Sequence, residues 1–281
     1  MKLFTIETGF FKLDGGAMFG VVPKSIWQKT NPADELNLCT WAMRCLLVQD
    51  GGRLILIDNG IGNKQDKRFL KHYYLHGDDT LDKSLAKNGF SKDDITDVFL
   101  THLHFDHCGG SIDKLEDGNL VPAFKNATYW SNAKHWQWAI EPNDREKASF
   151  LKENLLPIQE SGKLRFIDCI DGIDFTDNIK IRFAFGHTDA MMLPQIRYKN
   201  KTILYMADLL PSIGHIPLPY VMAYDMFPLQ TLIEKKKFLA ESVKNAYILY
   251  LEHDPINECC TLQETEKGIR VKDTFDLSQI L

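Results

Sequence analysis

The sequence predicts an α/β fold, an αββα sandwich of two β-sheets with helices outside, built as one domain over residues 1–281. Three observations carry this. Short strand-like apolar runs recur along the chain and alternate with stretches of helical spacing. At 281 residues and 44% hydrophobic composition the chain can bury a large core, and α/β domains of this length are common as single units. No repeat, linker or low-complexity segment divides it.

Residues 1 to about 60 read as β-rich, with Asp14-Gly15-Gly16 as a hairpin-type turn. Leu54-Ile55-Leu56-Ile57 is a buried strand leading into Asp58-Asn59-Gly60, and Asp97-Val98-Phe99-Leu100 is another. Further strands are expected over 179–185, 201–207 and 246–251. Apolar spacing predicts helices near 66–75, 79–88, 131–140, 145–156 and 229–243.

Chemistry concentrates where these strands end. The run His102-Leu103-His104-Phe105-Asp106-His107 follows a strand directly, and residues two apart at a strand end share a face, so His102 and His104 can grip one ion. Asp106 and His107 fall on the following turn, where Gly109-Gly110 lets the backbone bend tightly. Imidazole suits zinc and iron, and a neighbouring carboxylate supplies a harder ligand. The competing reading, histidines scattered by chance on a solvated loop, is weak in a chain with nine histidines. Three other strands deliver candidate ligands at their carboxyl ends: His187 (with Asp189), Asp208, and Glu252-His253-Asp254. Taken singly, each is more simply a cap or turn residue; their shared placement favours ligands.

Composition excludes several classes. No stretch approaches eighteen apolar residues and the start lacks a long apolar signal core, so neither membrane insertion nor export is expected and the chain is assigned to the cytoplasm. The six cysteines are then read as reduced thiols, with Cys39 and Cys45 in the core and Cys108 packing beside the metal cluster rather than ligating. A net charge of −5 gives no case for nucleic-acid binding. Lys235-Lys236-Lys237 reads as a solvated helix face, and His72 and His76 as surface or pocket-rim residues.

The motif His102-x-His104-x-Asp106-His107 with later His187, Asp208 and His253 resembles the metallo-β-lactamase superfamily, in order along the chain as well as in residue type. Leu13–Lys24, the Asp58-x-Gly60-Ile61-Gly62 turn and Val221–Asp225 are similar, within it, to quorum-quenching N-acyl-homoserine-lactone lactonases, especially a bacillary one, and to methyl parathion hydrolases. The resemblance implies a metallo-β-lactamase sandwich with two divalent ions, zinc by preference, with iron, manganese and cobalt as alternatives. It implies that His102, His104 and His187 hold one ion and Asp106, His107 and His253 the other, with Asp208 bridging. A water or hydroxide activated between them would open a lactone ring, Asp106 carrying the proton to the departing alkoxide. It also implies a carboxylate behind a ligand histidine at Asp58, although an Asx-turn role explains that residue equally well.

The implied partner is a small lactone or ester; no nucleic acid or membrane is expected, and the oligomeric state stays open, a homodimer included. Many of these lactonases place a tyrosine three residues after the bridging aspartate, where this chain has Pro211. His215 is the first candidate to replace it in holding the substrate carbonyl, against a surface or supporting role, with Tyr220 and Tyr224 next. Met18, Phe19, Ile26 and Trp27 either wall an acyl site or belong to the core. Phosphotriester hydrolysis is the competing activity, because the same nucleophile can attack phosphorus. A diiron oxidoreductase is disfavoured because that family usually has glutamate where His104 stands and pairs its site with a flavin domain. A glyoxalase II-type thioesterase, which carries a sizeable helical domain after the last ligand, is disfavoured because 28 residues follow His253.

Overall fold

The computed structural model describes residues 1–281 and divides into two compact units, both discontinuous in sequence. The first comprises Met1–Gly9, Met43–Cys169 and Leu281, and the second Phe10–Ala42 and Ile170–Ile280. The α/β class expected from the sequence is the one observed: a six-stranded and a seven-stranded sheet with helices, and a small hairpin, Ile112–Lys114 with Leu120–Pro122.

In the first unit, Arg53–Ile57, Asp97–Phe99, Thr128–Ser131 and Leu164–Phe166 are successive parallel strands. Parallel pairing buries both faces, which explains the unbroken apolar runs Leu54–Ile57 and Val98–Leu100. It also places the carboxyl ends of all four strands together, so Asp58 falls beside Thr101 and His102. Ile6, Leu47, Leu56, Val98, Leu103, Phe124, Tyr129, Leu155 and Ile158 belong to the core of this unit.

In the second unit Ile179–Ala184 runs antiparallel to Met191–Tyr198, which runs antiparallel to Lys201–Tyr205, which is parallel to Ile248–Tyr250. Two reversals restore direction, so the strands preceding His187, Asp208 and His253 all point the same way. Their carboxyl ends lie at one edge of this sheet. The helix Pro228–Asn245 begins with proline, whose missing N–H costs nothing at that position, and ends at Ala246 in the left-handed region, φ 53°.

Two local expectations change. Asp14 starts a short helix, Gly15–Phe19, instead of a hairpin: its Oδ1 accepts from Ala17 N at 2.8 Å and its Oδ2 from Asn37 Nδ2 at 2.9 Å. The side chain captured the free N–H that an N-cap serves, and this outweighed the turn preference of Asp-Gly. The helix expected over 145–156 spans Lys152–Glu160, because residues before it form turns that carry Glu146 to other partners. No helix is long and apolar enough to cross a membrane.

Candidate metal centre

Four ligand candidates lie in the first unit, all buried: His102, His104, Asp106 and His107. Their loop follows Phe99 and enters the short helix Phe105–Cys108. Close backbone contact shapes the loop: a Cβ on Gly109 would lie 2.0 Å from Ile61 O, and one on Gly110 2.2 Å from Asn59 O. Only glycine fits at these two positions.

Each imidazole is oriented by an acceptor behind it. His107 Nδ1 donates to Asp58 Oδ2 at 3.1 Å, which leaves the ring's lone pair on Nε2. Asp58 also accepts from Thr101 N at 2.8 Å and from the Thr101 hydroxyl at 2.6 Å. That hydroxyl, with its hydrogen committed, accepts from His102 Nδ1 at 3.1 Å, so His102 likewise presents Nε2. His104 is turned the other way: its Nε2 donates to Glu146 Oε1 at 2.8 Å and its Nδ1 carries the lone pair. Asp58 is fully buried with φ 56°, a left-handed conformation that Asp and Asn tolerate better than other side chains. Of its two sequence readings, the structure shows the carboxylate behind a histidine.

The lone pairs of His102 Nε2 and His104 Nδ1 face each other at 3.1 Å. Two nitrogens at 2.0–2.1 Å from one tetrahedral ion would stand about 3.3 Å apart, so this pair has the spacing of two ligands of one cation. Cys108 is not a ligand; its thiol donates to Leu103 O at 3.3 Å, and burial pushes its pKa up to about 12. Lys64 Nζ donates to Gly109 O at the end of the same loop.

The second unit holds His187, Asp208 and His253, also buried. His187 Nε2 lies 3.1 Å from Asp208 Oδ2, and His253 Nε2 lies 2.9 Å from Asp208 Oδ1, one imidazole at each carboxylate oxygen. Both rings are held from behind: His187 Nδ1 donates to Asp225 Oδ1 at 2.9 Å and His253 Nδ1 to Ala42 O at 2.7 Å. Burial opposes a charged His187, but Asp208 and Asp225 overcome it and raise its pKa to about 10. The two carboxylates therefore call for positive charge at that ring. Ala207, just before Asp208, has φ 40°, strain of about 1–3 kcal/mol accepted at the point where the carboxylate is aimed.

His215 is buried with both ring nitrogens engaged, Nε2 with Met18 O at 2.9 Å and Nδ1 with Ser212 Oγ at 2.9 Å. Its ring stacks on Phe19 at 4.5 Å, Phe19 stacks on Trp27 at 5.3 Å, and burial pushes the His215 pKa down to about 3. Met18, Phe19 and Trp27 are core residues of this unit, whereas Ile26 is exposed.

Sequence reasoning missed Glu146, which also accepts from Trp138 Nε1 at 2.6 Å, and His135, whose Nε2 accepts from Leu103 N at 2.9 Å. No local pattern marks either one. Asp225 lay in a stretch noted for its resemblance, without a role. Lys235, expected on a solvated helix face, is buried.

A family model for the Metallo-beta-lactamase superfamily matches residues 44–253. The mixed α/β architecture is consistent with that superfamily's sandwich fold. Among solved structures, a probable metal-dependent hydrolase from Staphylococcus aureus is similar with 28% identity and a TM-score of 0.87, covering 98% of this chain and 96% of that one. AidC, a dizinc quorum-quenching lactonase in complex with a product, is 24% identical with a TM-score of 0.79, covering 98% and 95%. An N-acyl homoserine lactone hydrolase with N-hexanoyl-L-homoserine bound at its catalytic metal centre is 19% identical with a TM-score of 0.69, covering 90% and 93%. No curated protein matches.

Proposed function

From the premise that the chain belongs to the Metallo-beta-lactamase superfamily, we propose that it is a dinuclear metal-dependent hydrolase that opens lactone rings, N-acyl-homoserine lactones or close relatives. The observation that carries the reading is Asp208, whose two oxygens each face a different imidazole nitrogen at ligand-to-ligand spacing. A carboxylate so placed suits a bridge between two ions. The reading assigns His102, His104 and His187 to one ion and Asp106, His107 and His253 to the other, with Asp208 as the bridge. Two bound divalent ions, zinc by preference, would supply a water acidic enough to attack at neutral pH and a positive field for the carbonyl oxygen.

The chain's own residues do the rest. Asp58, Glu146, Asp225 and Ala42 O fix which nitrogen each imidazole presents, so the donors are oriented before any ligand arrives. Asp106 carries the proton to the departing alkoxide. His215, the sequence candidate for holding the substrate carbonyl, has its ring nitrogens engaged by Met18 O and the Ser212 hydroxyl and would act by fixing the Met18–Phe19 segment. The six cysteines, read as reduced thiols, suit a cytoplasmic enzyme. The lactone assignment draws on AidC and the N-acyl homoserine lactone hydrolase, which share the fold. The test is a hydrolysis panel of acyl-homoserine lactones, γ- and δ-lactones, paraoxon-type esters and a thioester, run with defined metals. Preferential lactone turnover is expected; preferential paraoxon turnover would replace this reading with a phosphotriesterase.

A further inference from the structure

The helix Pro228–Asn245 carries two consecutive buried charges, Glu234 and Lys235. Glu234 Oε1 accepts from Phe185 N at 2.8 Å and its Oε2 from Gly186 N at 3.0 Å, gripping the two residues before His187. Gln230 Nε2 donates to Oε1 at 2.8 Å and steadies that carboxylate. Gly186 is pressed against the same helix, where a Cβ would lie 2.3 Å from Thr231 Oγ1. Lys235 points its Nζ to Tyr220 O at 2.6 Å and Pro217 O at 3.1 Å. Those carbonyls belong to the loop that leads to Asp225, the carboxylate behind His187. The loop returns to the strand end through Met226 N to His187 O at 3.0 Å and Phe227 N to Gly186 O at 2.8 Å.

Burying two charges is costly, and apolar side chains of similar volume would fill the same space without that cost. What the polar pair adds is a hold on particular backbone atoms. The Phe185 and Gly186 amides lie directly before His187, and the Pro217 and Tyr220 carbonyls lie in the loop that leads to Asp225.

We propose that Glu234 and Lys235 are positioning residues: one turn of this helix sets His187 and Asp225 against each other and so determines which ring nitrogen His187 presents and where. The inference rests on the reading of His187 as a ligand. Its test uses Glu234→Gln and Lys235→Met in the full chain, alone and combined with Asp225→Asn. Zinc affinity is read by chelator competition, ions per chain by elemental analysis, and the apo-protein's Tm separately. One of the two ions should bind about 10-fold or more weakly in each single variant while the other is retained. Each combination with Asp225→Asn should weaken that ion by less than the product of the separate effects, because all act on one imidazole. A lowered Tm with both ions bound at wild-type affinity would reduce the pair to a structural role and overturn the proposal.

Should the variants not fold, the wild-type protein still decides. Amide exchange at Phe185 and Gly186 should be slow, and on zinc loading the 15N spectrum should show His187 keeping its proton on Nδ1 and giving Nε2 to the ion; fast exchange or the opposite arrangement refutes the clamp. Wild-type protein that binds no divalent ion would instead refute the hydrolase reading. In that case an unchanged His187 15N shift in Glu234→Gln would overturn the positioning proposal on its own.

Discussion

Replacing Asp58 by asparagine changes one atom and should disable one ligand. Asparagine tolerates the backbone at φ 56° and nearly matches aspartate in volume, so the fold survives. Asp58 accepts three hydrogen bonds, from Thr101 N, the Thr101 hydroxyl and His107 Nδ1. The amide oxygen can keep Thr101 N, but the amide nitrogen then stands where Oδ2 was, and it is a donor facing the His107 N–H. One donor pair must give way. If His107 answers by moving its hydrogen to Nε2, that nitrogen loses the lone pair it would offer a metal. Loss of such a supporting carboxylate typically weakens metal binding 10–100-fold, about 1.4–2.7 kcal/mol. The mismatched donor also costs folding stability of about 1–3 kcal/mol. Chelator-competition titration with zinc, alongside thermal melts of the apo-protein, measures both. Wild-type metal affinity in Asp58→Asn would refute the claim that Asp58 sets the His107 tautomer.

Other consequences are equally open to measurement. Asp208→Ala should reduce metal content below about two ions per chain and lower turnover by orders of magnitude, as elemental analysis with steady-state kinetics would show. His215→Ala should keep two metals while kcat/KM falls roughly 10–100-fold, since Met18 and Phe19 lose their anchor; unchanged kinetics would redirect attention to Tyr220 and Tyr224. If the exposed Ile26 and its segment border an acyl site, each added methylene of the substrate should raise kcat/KM up to about four-fold until the site is filled, from about 0.8 kcal/mol per buried CH₂. A flat profile would remove that segment from the site. Burial lowers the Lys235 pKa to about 7, with Asp225 partly opposing. Between about pH 7 and 10.5 the unfolded chain therefore binds the extra proton, and unfolding free energy should rise with pH across that window. Urea midpoints at pH 7 and 9.5 should show a smaller rise in Lys235→Met than in the parent.

Much of the candidate centre was legible because strand periodicity is local. His102, His104, His187, Asp208 and His253 each follow an apolar run, and parallel or twice-reversed strands gather such ends at a sheet edge. The atoms behind the ligands were harder to read. Glu146 lies 42 positions from His104, and Asp225 lies 38 from His187, distances over which spacing carries no signal. Lys235 misled because its neighbours Lys236 and Lys237 are exposed, and a basic run looks the same whether or not one member turns inward. Asp14-Gly15-Gly16 misled because Asp-Gly suits a turn and a helix cap alike; here Asp14 caps Ala17 N, and its other oxygen is held by Asn37, a partner 23 residues away.

The discontinuity of the second unit has a consequence for synthesis. Phe10–Ala42 emerges from the ribosome early, yet its companions in that unit, Ile170–Ile280, follow more than a hundred residues later. At roughly 5–20 residues per second, Phe19 and Trp41 wait on the order of ten seconds or more before His215 and Tyr220 exist to cover them. During that interval a nascent chain leaves Phe19 and Trp41 without the rings that cover them in the finished unit. Segments of this kind are where chaperones engage and where aggregation begins, so yield in recombinant expression should respond more to the rate of translation than to the stability of the finished fold.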